Sequence, residues 1–255
     1  MGMRPAGEHG VRLTVVGCSG SGPGPTSAAS CYLVEHDGFR VLLDLGSGAF
    51  GALQALADPD SVDAVYLSHL HADHCLDVAP LVVWHRYSGR ASGRRLPLIA
   101  PAGADRRLAL VYDAGGAPLT DVFDFAVTPV SAILGPFTVQ TARTAHPIEC
   151  HAIRLTAHGS SLVYTGDTGP SRAVVDLAHR ADVLLAEAAH PERDGLPPDL
   201  HLTGRQAGEA AAAAGVRRLL LTHVPTWVDP AAQLAAARTA FPGAELVHPG
   251  ATYEV

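Results

Sequence analysis

The sequence predicts an α/β fold with two sheets carrying helices on their outer faces, and three observations predict it. Short apolar, β-branched runs recur through both halves of the chain. The order of elements is strand-rich and then mixed, twice over, which suits two sheets covered by helices. The length, 255 residues, is enough to bury a full core, so residues 1–255 are expected to form a single domain.

Residues 11–17 are apolar and β-branched and predict a strand, broken by Gly and Pro from Cys18 to Pro25. Residues 31–35 and 40–44 flank Asp37-Gly38, the dipeptide that type I′ turns favour, and predict a hairpin. Residues 50–57 predict a short helix and 64–68 a buried strand, while a further helix begun near Val78 holds Trp84. Over 82–130 the pattern weakens, with Arg, Gly and Pro interleaved. Only 96–100 and 106–112 suggest elements there, and the segment reads as one able to cover a site. Residues 137–142, 152–156 and 161–165 are strand-like, 172–181 predict a helix and 183–186 a strand. An Ala-rich helix is predicted over 203–214, with Thr203 as N-cap and Gly215 as its stop. Residues 219–222 predict a strand and 230–240 a last helix before the apolar stretch 246–249.

Hydrophobic residues make up 47% and charged residues 17% of the chain. No apolar run reaches the roughly eighteen residues of a membrane span, and no basic segment leads into an apolar one near Met1. A cytoplasmic protein with no membrane partner is expected. The four cysteines, Cys18, Cys31, Cys75 and Cys150, are scattered with no CxxC, so they read as small buried apolar residues. The chain contains no lysine and no asparagine, which excludes a P-loop lysine, a Schiff-base lysine and an N-glycosylation sequon. Net charge is −7 with His neutral, whereas a grip on a long polynucleotide usually demands a basic surface. The pairs Arg94-Arg95, Arg106-Arg107 and Arg217-Arg218 read as solvated faces.

Chemistry concentrates in Ser68-His-Leu-His-Ala-Asp-His74, directly after an apolar strand. Neutral imidazoles and carboxylates suit borderline divalent metals. His69 and His71 are two apart and project together from extended backbone, while Asp73 and His74 come from the turn beyond and reach a second centre. A lone histidine is usually structural; this packing of ligand types points to metal.

The HxHxDH string resembles the metallo-β-lactamase superfamily, and the resemblance covers nearly the whole chain. It implies a four-layer αββα sandwich of two mixed sheets and a dinuclear site. His69, His71 and His146 would hold one divalent ion, and Asp73, His74 and His223 the other, with Asp167 bridging. Zn²⁺ is the expected metal, with Mn²⁺ or Fe²⁺ as alternatives, because an N/O site accepts several divalent ions. Two such cations lower the pKa of a trapped water and clamp attacking and leaving oxygens. Asp73 is also given a role in orienting that water or accepting its proton.

Within the superfamily the chain is most similar to the ribonuclease Z-like branch. Leu13–Gly22 (LTVVGCSGSG) resembles its glycine-rich opening, and Glu187-Ala188 with His201-Leu202-Thr203 resembles its acid pair, a histidine oriented by a carboxylate. The alternative reading makes Glu187 a surface or helix-edge carboxylate and His201 a helix flank. The RNA-processing members carry a long arm between the ligands matching His146 and Asp167, where only residues 147–166 lie here. Pro225-Thr-Trp227 and Cys75-Leu-Asp77 also depart from the pattern, and Asp77 is not assigned as a ligand. The compact bacterial relatives known as atypical class II cyclic-nucleotide phosphodiesterases share Pro198-Asp-Leu-His-Leu202, Leu220-Leu-Thr-His223 and Trp84 with Arg86-Tyr87. The resemblance implies hydrolysis of a 3′,5′-cyclic nucleotide, cAMP first, to the 5′-monophosphate, by a homodimer acting on a small phosphodiester. An RNA-processing endonuclease and a lactonase or thioesterase are the alternatives. Trp84, Arg86 and Tyr87 suit stacking a purine beside a phosphate; equally, Trp84 reads as core. The remaining histidines, His9, His36, His85, His151, His158, His179, His190 and His248, lack partners at ligand spacing.

Overall fold

The computed structural model describes residues 10–89 and 93–255. His9 lies outside them, as does the amino-terminal stretch in which no leader was read.

The first half of the chain runs β1 (Arg12–Gly20), β2 (Ala28–Ala29), β3 (Cys31–His36), β4 (Phe39–Leu43), α1 (Ala49–Leu56), β5 (Ala64–Tyr66), α2 (Ala72–Cys75), α3 (Val78–Tyr87), β6 (Leu96–Ala100), α4 (Ala104–Tyr112) and β7 (Phe123–Val127). The second half runs β8 (Ser131–Leu134), β9 (Phe137–Arg143), β10 (His151–Ala157), β11 (Ser160–Tyr164), α5 (Arg172–Leu177), β12 (Val183–Glu187), α6 (Gly204–Ala214), β13 (Arg218–Thr222), β14 (Val224–Pro225), α7 (Pro230–Arg238), β15 (Glu245–Leu246) and β16 (Thr252–Glu254). The first sheet is ordered β14-β1-β3-β4-β5-β6-β7, with β2 and β16 also on β1. The second is ordered β15-β13-β12-β11-β10-β9-β8. Both mix parallel and antiparallel pairs, giving two mixed sheets flanked by helices.

Side-chain alternation makes the layers. In β13, Leu220 packs between the sheets, whereas Leu219 and Leu221 face the helices. The inter-sheet core joins Leu13, Val34 and Leu43 of one sheet to Phe137, Leu155 and Leu185 of the other. Phe50, Leu53, Leu81 and Leu108 of α1, α3 and α4 cover the outer face of the first sheet, and Ala207, Ala211 and Ala237 of α6 and α7 that of the second.

The Asp37-Gly38 hairpin forms as predicted, with both residues at positive φ (47° and 77°). So does the α6 start: Thr203 Oγ1 accepts the Gln206 N–H while Gln206 Oε1 accepts the Thr203 N–H, and Gly215 ends the helix at φ 68°. Other expectations need correction. β1 does not break at Cys18 but continues to Gly20 through a register shift between Val15 and Gly17. The helix over 172–181 stops at Leu177, before Arg180 turns left-handed at φ 51°.

The largest correction concerns 82–130. The segment is no cover: β6 and β7 extend the parallel run β4-β5-β6-β7, with α3 and α4 as the crossovers such pairing requires. The elements expected at 96–100 and 106–112 are β6 and most of α4; β7, largely exposed along its length, is the strand that was not read. Among the described residues no helix is long and apolar enough to cross a membrane.

All four cysteines are free thiols. Burial raises the pKa of Cys31 well above the ordinary thiol value, of Cys75 to about 11, of Cys150 to about 12, and of half-buried Cys18 to a lesser degree. A thiol-titrating disulfide reagent at pH 7 is therefore expected to leave Cys31, Cys75 and Cys150 untouched in the native protein, to react slowly with Cys18, faster as pH rises, and to titrate all four after denaturation.

Candidate metal centre

Every strand that delivers a candidate ligand ends at one edge of the sandwich. His69 to His74 follow β5, His146 follows β9, Asp167 follows β11 and His223 follows β13, while Glu187 is the last residue of β12. These strands share a direction within each sheet, so their carboxyl ends gather side chains far apart in sequence, as in other α/β sites. Two hydrogen bonds seam the sheets there: the His151 N–H donates to Ser68 O, and Tyr66 Oη to His151 O.

The side chains converge as two groups, and a third set, Asp167, His201 and His223, overlaps them with its ligand atoms also within 4.8 Å of one another. His71 Nδ1 lies 3.0 Å from His69 Nε2 and 3.3 Å from His146 Nε2. Ligand atoms of His69, His71, His146 and Asp167 all fall within 4.8 Å of one another, as do those of Asp73, His74 and His223. Asp167 faces both groups. Its Oδ2 lies 3.6 Å from His69 Nε2, and its Oδ1 lies 3.2 Å from His74 Nε2 and 3.4 Å from His223 Nε2.

Divalent cations fit this donor set. His74 Nε2, His223 Nε2 and Asp167 Oδ1 are buried without a hydrogen-bond partner among the described residues, which is costly for polar atoms unless something else satisfies them. Protonation is also right for ligation. Burial lowers the pKa of His69, of His146 and of His223, the last to about 4. Burial pushes the Asp73 and Asp167 carboxyls up, but the surrounding imidazoles outweigh it and hold both below the usual carboxylate range. His74 is the exception: burial favours its neutral form, yet Asp167 and Asp44 raise its pKa.

The ring nitrogens that face away from the centre are anchored. His74 Nδ1 donates to Asp44 Oδ2 (2.7 Å), His146 Nδ1 to Leu200 O (3.0 Å), and His223 Nδ1 meets Ser30 Oγ (2.8 Å). His69 Nδ1 meets Ser68 Oγ at 3.0 Å, and that hydroxyl donates onward to Asp44. Reading the sequence left Asp44, Ser68 and Ser30 unassigned. The available signal for Asp44 was an acid at the end of the buried strand β4, and only contact with His74 tells its role.

Glu187 and His201 form the second constellation. Glu187 is fully buried at the end of β12, which removes the surface-carboxylate reading. Its Oε1 accepts from the Thr168 N–H and lies 2.9 Å from His201 Nδ1, and its Oε2 accepts from the Ala189 N–H. Burial raises its pKa to about 7, against the pull of His201; Glu187 in turn holds His201 up at about 9, against burial. Each partner thus favours the charged form of the other, against the burial that opposes both. The His201 ring stands 5.7 Å from His146 and 5.8 Å from His223, so the pair borders the candidate metal ligands. His190, unassigned from sequence, stacks edge-on against His201 at 5.2 Å.

Other candidates find structural partners. Trp84 packs edge-on against Phe50, and its Nε1 donates to Asp60. Arg86 makes a two-point ion pair with Asp121 and lies over the Tyr112 ring. Asp77 accepts the Phe50 N–H at the start of α1. Arg94 pairs with Asp63, Arg95 with Asp124, Arg217 with Asp182 and Arg218 with Glu245, in keeping with solvated faces.

Asp167→Asn is expected to strip metal from both groups together, read by elemental analysis after dialysis. Asp44→Asn is expected to keep the ligands but weaken metal retention by about 10- to 100-fold in a chelator competition. Unchanged retention in the Asp44 variant would rule out its anchoring role.

Residues 39–224 match the model of the Beta-lactamase superfamily domain. The chain is 45% identical over 243 residues to protein Rv1339 of Mycobacterium tuberculosis, covering 91% of this chain and 88% of that one. It is 32% identical over 220 residues to the probable metallo-hydrolase YhfI of Bacillus subtilis, covering 84% and 87%. The crystal structure of YhfI superposes with a TM-score of 0.87 at 28% identity, over 96% of this chain and all of that one. Ribonuclease Z of Kineococcus radiotolerans is 30% identical over 292 aligned positions, covering 92% and 91%. With the family model spanning most of its length and both sheets and ligand groups in place, the chain belongs to the beta-lactamase superfamily.

Proposed function

We propose that this metal-dependent hydrolase opens a 3′,5′-cyclic nucleotide, cAMP first among them, to the 5′-monophosphate. The observation that carries the reading is the Glu187–His201 pair beside the ligand groups. A ribose alkoxide is a poor leaving group, and a positioned acid is worth about 10²- to 10⁴-fold there. A thioester, which expels a thiolate, needs that acid less.

Two divalent cations, held by His69, His71 and His146 on one side and Asp73, His74 and His223 on the other with Asp167 between, would supply charge neutralisation at phosphorus and an activated water. Zn²⁺ is the first candidate, then Mn²⁺ and Fe²⁺. Asp73 orients the attacking water and takes its proton. His201 uses Nδ1 to hold Glu187, which aims Nε2 at the departing 3′ oxygen; the proton moves from Nε2 to that oxygen, and Glu187 stabilises the charge beforehand.

A small substrate is favoured over RNA. The whole stretch from His146 to Asp167 is taken up by the tight β10–β11 hairpin and its flanks. The alignment with the Kineococcus ribonuclease runs to 292 positions against 255 residues here, so that protein carries segments this chain lacks. The RNA-processing reading is the alternative that this similarity keeps open. A cytoplasmic homodimer completes the proposal.

His201→Ala is expected to retain metal and to slow cAMP hydrolysis by about 10²- to 10⁴-fold. The loss for a bis-aryl phosphodiester, whose leaving group needs no proton, should be much smaller. An unchanged cAMP rate would remove His201 from the mechanism. Assayed side by side, a short RNA is expected to bind weakly; tight binding that falls steeply with salt would favour the nuclease reading instead.

A further inference from the structure

His201 hangs on a long irregular stretch. No strand or helix lies between Glu187, the last residue of β12, and Gly204, the first of α6. Glu187 Oε1 holds the His201 Nδ1 at 2.9 Å, but a single hydrogen bond fixes a single atom of a ring. The torsion that sets the plane of an imidazole is broad, so the plane depends on what packs against the ring. Three other imidazoles do. Those of His146 and His223 are tilted, at 5.7 and 5.8 Å, and belong to the candidate ligand groups. That of His190 belongs to neither group and stands closest, at 5.2 Å and an interplanar angle of 86°.

His190 is itself held from behind. Its N–H donates to Leu202 O (2.9 Å), and an isolated parallel bridge pairs it with Thr203, which lays the two histidines on neighbouring extended segments. Its carbonyl accepts from Gln233 Nε2 (2.6 Å), while Gln233 Oε1 accepts the Gly204 N–H (2.6 Å). Gln233 is buried on α7, so a helix of the outer layer carries the wall against which His201 leans. The His190 Nε2 is shut off from solvent and has no hydrogen-bond partner among the described residues. That nitrogen therefore neither meets a substrate nor anchors its ring by a hydrogen bond. Burial, then the neighbouring His201 and Arg193, lowers the pKa of His190, which favours a neutral ring and spares His201 a second positive charge.

We infer that His190 is a positioning residue, which fixes the plane of the His201 ring and so keeps its Nε2 aimed at the leaving oxygen. The contact and its mounting stand on geometry; only the leaving oxygen rests on the phosphodiesterase reading. Aim matters because misplacing a reacting group by about 1 Å can lose about 100-fold in rate.

Two measurements on the Zn²⁺-loaded protein test this. The first needs no substrate: the imidazole N–H protons are observed by NMR after labelling histidine with nitrogen-15. The proton between His201 Nδ1 and Glu187, assigned by its loss in His201→Ala, is expected to broaden or vanish in His190→Ala. It should stay sharp in His190→Phe, which restores a flat ring. In the second, His190→Ala is expected to lower kcat for cAMP by about 10- to 100-fold while KM changes by less than about 2-fold. The bis-aryl phosphodiester should lose far less, and His190→Phe should recover most of the cAMP rate. Added to His201→Ala, His190→Ala should cost nothing more, because a residue that acts through another has no effect once the other is gone. His190→Leu fills the space without a flat face; it is expected to behave as His190→Ala and replaces it should that variant not fold.

Equal losses on both substrates, a loss that persists in the His201→Ala background, or a His201 signal indifferent to His190→Ala overturns the inference. A protein that cleaves the aryl diester and not cAMP discards the substrate, and the NMR comparison then upholds or overturns the positioning by itself.

Discussion

The centre is organised by one buried carboxylate. Asp44 is fully buried, and its two oxygens take hydrogen bonds from the Ser68 N–H, Ser68 Oγ, His74 Nδ1 and Tyr164 Oη, at 2.6 to 2.8 Å. These donors come from the end of β5, from α2 and from β11, so a single side chain ties both sheets to the ligand loop. A buried charge is expensive unless fully hydrogen-bonded. Each donor is therefore held in place by the cost of leaving Asp44 unsatisfied, and the orientations of His69 and His74 follow from it.

Backbone conformation completes what Asp44 begins. Asp44 and His223 are both left-handed, at φ 59° and 56°, a region that non-glycine residues enter at a cost and keep where surrounding contacts demand it. At His223 the turn directs the ring inward as β13 passes into β14. Gly20 is packed against the His223 carbonyl so closely that any Cβ would overlap it, and Gly46 stands in the same relation to the Asp73 carbonyl. The glycines at these places are close-approach residues, which explains why a glycine-rich segment sits beside the ligands rather than in a free loop.

The division of labour between the sheets has a chemical consequence. Sheet one delivers the HxHxDH loop from the end of β5, and sheet two delivers His146, Asp167, Glu187 and His223 from strand ends of its own. Neither half holds a complete set. Asp167 stands where the halves meet, one oxygen toward each candidate ligand group, and the same meeting point places the Glu187–His201 pair beside them.

The ligand loop, the Asp37-Gly38 hairpin and the α6 caps were legible from sequence, because each is a local pattern whose chemistry is complete within a few residues. His146, Asp167 and His223 were reached through the family resemblance, which asks for ligands past later strands; no local pattern of their own marks them. Other features depend on contacts between distant segments: the anchoring by Asp44, Ser30 and Ser68, the burial of Glu187, the stacking of His190 on His201, and the use of Trp84 and Arg86 in packing and ion pairing. Of the β6–α4–β7 run only β7 was hidden, because a half-exposed edge strand owes its place to pairing with β6. Residue types and their local spacing thus determined the chemistry that is available to this protein; only the folded chain decided which groups are desolvated, which are paired and which are left facing one another, because burial and hydrogen-bond partnership are properties of the packed molecule.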